Sequence, residues 1–321
     1  MTAQLGIGTA ALGRPGYVTL NHAAALGGNY DPSVMESHAH QVLDAAWAEG
    51  IRYIDCARSY GRAEDFVASW LERRRIVPGE IVVASKWGYT YTAGWSTTAA
   101  QHEVKDHSLA TFDRQLAETL ERLDGYLSVY QIHSVTAESR TLADDGLIDA
   151  IARLREKGIR AGLTVSGEGQ DMAIRRSLEV RRGGVRVFDS VQATWNLLER
   201  GAESALSEAH AEGMKVVVKE ALANGRLTPG SREESVLAPS VSRARRIAKE
   251  RATTIDMLAL GAALARPWAD VVLSGAATVA HVQSNVAAIG FEWDEELEEQ
   301  LGAVVVPAEQ YWKARKRFSW N

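Results

Sequence analysis

The feature that most constrains the fold is a regular alternation of short apolar or β-branched runs with longer segments of helical period. This alternation continues along nearly the whole chain and is typical of repeated βα units around a parallel sheet. Glycines that close helical segments directly before a strand, such as Gly158 and Gly213, support the division. The eight predicted strands are Leu5–Ala11, Arg52–Cys56, Ile81–Lys86, Leu127–His133, Ala161–Ser166, Ser190–Trp195, Lys215–Glu220 and Val271–Gly275.

Each predicted strand is followed by a segment whose apolar residues lie three and four positions apart, which predicts a helix. No linker rich in Pro, Ser or Gly interrupts the series, so one closed (β/α)8 TIM barrel is favoured over an open doubly wound sheet. We expect a single α/β domain over residues 1–321, with the barrel at about 5–289 and a C-terminal tail at 290–321 over its mouth. The predicted helices are Ser37–Ala48, Ala63–Arg74, Leu109–Leu123, Gly146–Lys157, Asp171–Arg181, Ala202–Glu212, Ser240–Arg251 and Val279–Ala288.

Three long segments break the regular spacing: Leu12–Glu36, Trp87–Ser108 and Phe291–Asn321. On a barrel the first two are loops at the C-terminal ends of the first and third strands, where barrel enzymes carry their active sites. Their aromatic residues either anchor the loops or line a substrate cleft, and as a group they favour the cleft. These residues are Tyr17, Tyr30, Trp87, Tyr89, Tyr91 and Trp95, with Tyr311, Trp312, Phe318 and Trp320 in the tail.

Composition excludes several classes of function. With 36 Lys and Arg against 41 Asp and Glu, the net charge of −5 argues against a nucleic acid or an anionic membrane as partner. The single cysteine, Cys56, excludes an intramolecular disulfide and a Cys-rich zinc site, and fits a reducing cytoplasm. The longest apolar run, Met257–Ala265, is too short to span a bilayer. We expect a soluble cytoplasmic protein without a metal site, and the oligomeric state stays unknown.

Polar residues at or just beyond the C-terminal ends of three predicted strands indicate the chemistry, since a barrel directs them into one mouth. Asp55, Lys86 and His133 would each be costly to bury alone, so we expect them to meet one another or a ligand. Tyr60 follows Asp55 in a turn-like segment. A tyrosine beside Lys86 would have its pKa lowered by the ammonium charge, which suits a general acid that protonates an oxygen.

The ordered motifs resemble the aldo-keto reductase superfamily from about Leu5 to Ala288. The resemblance implies that Asp55, Tyr60, Lys86 and His133 form a catalytic tetrad with the tyrosine as general acid, and that an NADP(H)-type cofactor lies across the mouth. The motifs are Arg52-Tyr53-Ile54-Asp55 with Tyr60-Gly61, Ser85-Lys86, Gln131-Ile132-His133-Ser134, Val191-Gln192 with Asn196, and Ser274-Gly275-Ala276 with Asn285.

The same resemblance implies the cofactor contacts. Ser166 and Gln192 match residues that hold the nicotinamide carboxamide, and Trp195 takes the place of the aromatic residue that stacks on the nicotinamide ring. At the adenosine end the stretch Gly275–Thr278 has no Lys or Arg, and His281 stands where an arginine is frequent. NADP(H) is therefore expected and NAD(H) stays open. The complete set of expected cofactor-binding residues is Ser166, Gln192, Trp195, Asn196, Arg226, Gly275, Thr278, His281 and Asn285.

Three functions compete at this stage. The first is an oxidoreductase that moves hydride between nicotinamide and an aldehyde, ketone or sugar carbonyl, in either direction. The second is a non-catalytic, cofactor-binding regulatory subunit, because the family also includes potassium-channel β subunits; no N-terminal inactivating segment is visible. The third is a Schiff-base lyase that uses Lys86 or Lys219, although Asp55 should keep Lys86 protonated.

Overall fold

A closed barrel of eight parallel strands forms the centre of the computed structural model, which describes residues 3–17, 19–20, 23 and 26–318. The strands follow one another around the barrel in chain order, and the last pairs in parallel with the first. The predicted (β/α)8 barrel is confirmed. The strands are β1 (Gln4–Gly8), β2 (Tyr53–Asp55), β3 (Val82–Trp87), β4 (Leu127–Val135), β5 (Arg160–Val165), β6 (Ser190–Thr194), β7 (Lys215–Lys219) and β8 (Val271–Ser274).

Helices surround the barrel and extend into the tail. Within the described residues one α-helix follows each strand except β7, which two helices follow, and the last two helices lie in the tail. They are α1 (Pro32–Ala48), α2 (Ala63–Arg74), α3 (Leu109–Leu123), α4 (Asp145–Ala152), α5 (Gln170–Glu179), α6 (Glu203–Ala211), α7 (Ala238–Glu250), α8 (Ile255–Leu264), α9 (Val279–Val286), α10 (Glu295–Gly302) and α11 (Ala308–Lys316).

Local capping explains where some predicted boundaries were wrong. Helix α1 begins at Pro32 rather than Ser37, because the Asp31 side chain accepts hydrogen bonds from the Ser33 and Val34 amides and proline suits the first helical position. Strand β1 ends at Gly8, three residues early, since the Thr9 carbonyl accepts from the amides of residues 12 and 13 in a turn.

The sequence analysis missed several elements. Helix α8 contains most of the apolar run at 257–265, which was weighed only as a membrane span. Its alanines, leucines and glycine are buried on nearly all sides, so no amphipathic pattern marked it as a helix. The tail contains α10 and α11, and the loop after β3 contains a hairpin of Tyr89–Tyr91 with Glu103–Lys105. Across the described residues, no helix combines the length and apolar character that crossing a bilayer requires.

The barrel interior is layered because side chains alternate between its two faces along each strand. The lower layer is apolar and includes Tyr53, Val129 and Leu273. Two residues beyond Tyr53 on β2 the inward position is Asp55, and two beyond Ala84 on β3 it is Lys86. Both side chains are buried. The charged residues therefore lie directly above the apolar layer, at the C-terminal face of the barrel.

Two glycines bring the loops after β1 and β2 into close contact. A Cβ atom at Gly13 would overlap the Tyr60 carbonyl oxygen and the Ala63 side chain, and one at Gly61 would collide with the Gly13 carbonyl. Gly61 also has a φ of 61°, in the left-handed region that glycine occupies without strain. The Gly13 carbonyl accepts from the Arg62 amide at 2.7 Å, so the turn that carries Tyr60 is fastened to the first loop.

We expect Gly13→Ala to lower the free energy of unfolding by about 1–3 kcal/mol, because the added methyl group must displace backbone atoms of the Tyr60 turn. Urea denaturation followed by circular dichroism measures the change. Gly302→Ala is the matched control, since no atom lies within 4 Å of its added Cβ. Equal stability of both variants would contradict the close contact between the two loops.

Candidate active site

A buried ion pair between Lys86 and Asp55 organises the mouth of the barrel. The Lys86 ammonium donates hydrogen bonds to Asp55 Oδ2 and to the Cys56 carbonyl, the latter at 2.9 Å. Its third contact is the Tyr60 hydroxyl, 3.3 Å from Nζ. Because Asp55 and Lys86 come from the adjacent strands β2 and β3, the pairing of these strands sets the distance between the two charges.

Two glutamines complete the surroundings of Asp55. Gln192 on β6 donates from Nε2 to Asp55 Oδ1 at 2.9 Å, and Gln131 on β4 does so at 3.3 Å. Strands from several sides of the barrel thus hold one carboxylate, which satisfies the requirement that a buried charge be paired and hydrogen-bonded. Gln192 also lines the cavity above, where the sequence analysis expected it to contact a nicotinamide carboxamide.

The expectation that the pKa of Tyr60 is lowered is wrong. Burial raises the pKa of Tyr60 well above its usual value, and the negative charge of Asp55 adds to this effect, while the Arg14 guanidinium opposes it. The physical reason is that Asp55 offsets the charge of Lys86 at the tyrosine, leaving the loss of water as the dominant influence. The Tyr60 hydroxyl is therefore protonated at neutral pH and able to donate a proton.

His133 lies beside Tyr60 at the end of β4. The two rings meet edge to face with centroids 5.7 Å apart, and Tyr89 packs against the other side of the imidazole at 5.0 Å. Burial and the neighbouring ammonium of Lys86 hold the pKa of His133 well below its usual value, so the ring is neutral. A neutral imidazole that faces the cavity can donate one hydrogen bond to a substrate oxygen. The next residue, Ser134, has a φ of 57°, a strained conformation typical of functional sites.

A cavity of about 1240 Å³ opens above these residues and extends across the barrel mouth. Tyr60 and His133 lie on one side of it, and the β8–α9 loop lies on the other. Five of the expected cofactor-binding residues besides Gln192 line this cavity: Ser166, Gly275, Thr278, His281 and Asn285.

Trp195 does not lie where the sequence analysis expected it. Gln192 and Thr194 point into the barrel, so the period of two along β6 turns Trp195 to the outer face. Its indole is fully buried, packs against Trp268 at 5.9 Å and donates to Glu203 at 3.2 Å. The expected stacking on a nicotinamide ring is therefore corrected: Trp195 is a core residue outside the cavity.

Asn196 and Arg226 are likewise structural residues outside the cavity lining. Asn196 is buried and donates to the Glu220 carbonyl and to the Tyr311 hydroxyl, which connects β6 to β7 and the tail. Arg226 is buried in an ion pair with Glu233 at 2.6 Å, and the Phe318 ring stacks on its guanidinium. With its charge paired in this way, Arg226 is not available to a phosphate group.

The loop after β7 contains an ion-pair network that the sequence analysis missed. Glu220 pairs with Arg315 of α11 at 3.0 Å and lies next to Lys219, whose ammonium donates to Thr194 at 2.9 Å. Burial alone would raise the pKa of Glu220, but Arg315 and Lys219 hold it at about 2. Arg315 lies near the end of the chain, and no local pattern connects it to β7.

Only some of the aromatic residues in the three long segments line the cavity. Tyr17, Tyr89, Trp312 and Phe318 line it. Trp87 packs instead against Phe112 in the core, and Trp320 lies outside the described residues. The predicted cleft therefore uses a subset of the aromatic set, with contributions from both long loops and the tail.

His281 lines the cavity at the β8–α9 loop, at the position where an arginine is frequent in the family. Its Nδ1 accepts a hydrogen bond from the Ala277 amide at 3.4 Å, and burial lowers its pKa. The ring is therefore neutral at neutral pH and does not replace the arginine that is frequent at this position. Thr278 is engaged as well, because its hydroxyl accepts from the His281 amide as the cap of α9.

Comparison with known proteins supplies the family. The aldo/keto reductase family model matches residues 4–305. The chain belongs to this family. Among curated relatives, it is 25% identical over 297 residues to L-galactose dehydrogenase of Arabidopsis thaliana, covering 89% of each chain. It is 24% identical over 302 residues to chloroplastic pyridoxal reductase of the same plant, covering 85% of this chain and 78% of the relative.

Solved aldo-keto reductase structures share the fold. An aldo-keto reductase of Bacillus halodurans in its holo form superposes with a TM-score of 0.74 at 22% identity, covering 96% of this chain and 93% of that one. Glycerol dehydrogenase of Gluconobacter oxydans superposes with a TM-score of 0.70 at 19% identity, covering 94% and 91%. Membership of the aldo/keto reductase family makes the protein an oxidoreductase of nicotinamide-dependent carbonyl chemistry.

The residues at the mouth fit a nicotinamide cofactor. The aldo/keto reductase cavity is long enough to join β4 to β8, which lie on opposite sides of an eight-stranded barrel. At the β8 side, Oδ1 of the buried Asp256 has no hydrogen-bond partner among the described residues, as expected of an atom that meets a polar ligand. The sequence analysis missed Asp256, although a lone carboxylate at the start of an apolar run was a visible signal.

A histidine behind the site generates a pH-dependent stability. His107 donates from Nε2 to the His133 carbonyl at 2.8 Å and pairs through Nδ1 with Thr141 at 2.9 Å. Burial, with the charge of Lys105, lowers the pKa of His107 to about 4. The unfolded chain therefore binds one more proton than the folded chain between pH 4 and about 6.5, and stability is lost as the pH falls through this range.

Between pH 7 and pH 4 we expect the titration of His107 to lower the free energy of unfolding by up to about 3 kcal/mol. His107→Gln should make the free energy of unfolding less dependent on pH in this range. Urea denaturation at a series of pH values measures it. His210→Gln, at an exposed histidine, is the control for the loss of an imidazole as such. An unaltered slope in the His107 variant would refute the assignment.

Proposed function

We propose that the protein transfers hydride between a nicotinamide cofactor and an aldehyde, ketone or sugar carbonyl, with Tyr60 as general acid and, in the reverse direction, general base. The observation that carries this proposal is the Tyr60 hydroxyl, which faces the cavity 3.3 Å from the Lys86 ammonium and beside His133. This arrangement places a proton donor and a hydrogen-bond donor next to the same region of the mouth.

In the reductive direction a nicotinamide held at the barrel mouth, lined by Ser166 and Gln192, would supply the hydride that the carbonyl carbon accepts. The Tyr60 hydroxyl gives its proton to the carbonyl oxygen, which becomes an alcohol. The phenolate that remains is stabilised by the adjacent Lys86 ammonium, so the lysine acts most strongly after the proton has left. In the oxidative direction the same phenolate takes the proton back.

The other two members of the tetrad have distinct roles. Asp55 fixes the position of Lys86 through the buried ion pair. His133, neutral because its pKa is lowered by burial, donates a hydrogen bond to the carbonyl oxygen and orients it toward Tyr60. The high pKa of Tyr60 would make it a poor acid alone, so the neighbouring cation and the orienting histidine are both needed.

The substrate class is supported by the cavity and by the relatives. The cavity mixes aromatic side chains such as Tyr89 and Trp312 with polar and charged groups, which suits a small polar carbonyl compound. The curated relatives are named for pyridoxal, an aldehyde, and for L-galactose, a sugar, and a substrate screen begins with these two classes. NADP(H) is the family expectation for the cofactor, and NAD(H) is the alternative.

Two other functions remain as test outcomes. A regulatory subunit without catalysis would bind nucleotide but turn over no carbonyl compound in that screen. A Schiff-base lyase needs a neutral lysine amine at the cavity. Lys86 is poorly suited because Asp55, the Cys56 carbonyl and Tyr60 occupy its ammonium. Lys219 is the better candidate, because it lines the cavity and burial lowers its pKa.

We expect Tyr60→Phe to reduce kcat by about 10²- to 10⁴-fold, because the change removes the proton donor and leaves the ring in place. The dissociation constant for the nicotinamide cofactor should stay nearly unchanged. Steady-state rates with a substrate from the screen, followed at the absorbance of the reduced nicotinamide, measure the first quantity, and fluorescence titration measures the second.

Tyr126→Phe is the control for this experiment. Its hydroxyl donates to the Ile76 carbonyl at 2.7 Å, below the barrel mouth, so its loss removes a hydrogen bond without touching the cavity. Near-normal turnover by the Tyr60 variant would show that another group supplies the proton.

Borohydride treatment with an aldehyde substrate tests the lyase alternative. We expect no covalent adduct on Lys219, because its ammonium is hydrogen-bonded to Thr194 and lies next to Glu220. Peptide mass mapping after reduction, with and without the aldehyde, gives the answer. A substrate-dependent adduct on Lys219 or Lys86 would replace the reductase mechanism by a Schiff base.

A further inference from the structure

A buried carboxylate lies at the adenosine side of the cavity and takes no part in the reaction described above. Asp256 is the second residue of α8 and is only 6% exposed. A carboxylate in the first turn of a helix is common at a protein surface, where it interacts with the helix dipole. A buried one requires hydrogen bonds for both oxygens.

Only one of these oxygens has a partner among the described residues. Asp256 Oδ2 accepts a hydrogen bond from the Ser284 hydroxyl of α9 at 2.8 Å. Asp256 Oδ1 is buried without a partner, and both residues line the cavity. The unmatched oxygen therefore lies where a ligand in the cavity can donate to it.

Neighbouring polar groups in the β8–α9 loop are already engaged with one another. Asn285 donates to the Ser274 hydroxyl at 2.7 Å, Thr278 caps the His281 amide, and His281 Nδ1 accepts from the Ala277 amide. These contacts shape the loop but leave Asp256 unmatched. A ligand in the cavity can therefore supply a donor to Asp256 Oδ1.

The charges around Asp256 disfavour a second negative group. Of the described cavity-lining residues, the cations are Arg14, Lys219, Arg315 and Lys316, and none belongs to β8, α8 or α9. Arg14 forms an ion pair with Glu103, and Arg315 forms one with Glu220. Lys316 interacts electrostatically with Glu138, which follows β4. The pKa of His281, an imidazole that interacts electrostatically with Asp256, is lowered by burial, and the charge of Asp256 opposes this only in part.

We propose that Asp256 selects NAD(H) over NADP(H) by accepting a hydrogen bond from a hydroxyl of the adenosine ribose. This inference rests on the proposed function, because it assigns the β8 side of the cavity to the adenosine half of the cofactor. A ribose hydroxyl supplies the donor that Oδ1 lacks, and carboxylates that bind ribose hydroxyls favour NAD(H) in other dinucleotide sites. A 2′-phosphate has no proton to donate reliably near neutral pH and brings about −1.5 to −2 charge beside the carboxylate.

The experiment uses ligands that occupy only the adenosine end. Isothermal titration of the whole protein with 5′-AMP and with adenosine 2′,5′-bisphosphate compares a free ribose with a 2′-phosphorylated one, and NADH and NADPH are titrated in parallel. We expect the unphosphorylated member of each pair to bind at least about tenfold more tightly, the scale of one hydrogen bond to a charged group.

Asp256→Asn removes the charge and keeps the shape. We expect it to reduce or reverse the preference for 5′-AMP and NADH over the 2′-phosphorylated ligands by about tenfold or more. The unphosphorylated ligands should bind more weakly and the 2′-phosphorylated ones more tightly. Asp145→Asn is the matched control, since Asp145 also lies in the first turn of a helix but is exposed and pairs with Arg182. It should leave every dissociation constant unchanged.

The possible failures are distinguishable. If neither dinucleotide binds, the proposed function is wrong and the inference falls with it. If both bind but the unchanged protein prefers the 2′-phosphorylated ligands, the inference alone is wrong. If Arg245→Gln or Lys249→Gln then lost the preference for 2′-phosphorylated ligands, the 2′-phosphate would be assigned to these two cations. Both line the shallow pocket beside residues 253–255. An Asp256→Asn variant with an unchanged ratio would also overturn the proposal.

Discussion

The buried pair of Lys86 and Asp55 is the interaction on which the rest of the mouth depends. Neither charge would be stable alone at the top of an apolar barrel, and removal of one partner from such a pair typically costs about 3–5 kcal/mol. Gln131 and Gln192 add hydrogen bonds to Asp55, and the Tyr60 hydroxyl completes the contacts of Lys86. The stability of the barrel mouth and the position of the Tyr60 hydroxyl are therefore consequences of one set of contacts.

Charge is distributed unevenly around the cavity, and this distribution gives its two sides different properties. Lys86, Lys219 and Arg315 place positive charge near Tyr60 and His133, balanced by the two carboxylates of Asp55 and Glu220. On the β8 side Asp256 has no ion-pair partner among the described residues. A ligand that spans the mouth thus contacts two different environments. One end favours an oxygen with negative charge, and the other favours hydroxyl groups that donate hydrogen bonds.

Sequence predicted the barrel, and it predicted that Asp55 and Lys86 meet at its mouth, because both depend on local pattern. Inward residues at strand ends, such as Asp55 and Lys86, follow from the period of two and the βα alternation. The same period, counted from Gln192, would have placed Trp195 outside the barrel. Arg315 could not be assigned in this way, because its ion pair with Glu220 joins elements distant in the chain. The raised pKa of Tyr60 depends on a burial that only the folded chain defines.

The two ends of the described fold lie on different faces of the barrel. Phe318, beyond α11, lines the cavity and stacks on Arg226. Strand β1 begins at Gln4, on the face opposite the mouth, because the strands of a parallel barrel all start at the same face. A protein or tag joined directly behind Phe318 would therefore stand at the rim of the cavity and compete with the substrate for space, whereas one joined ahead of β1 would leave the mouth accessible.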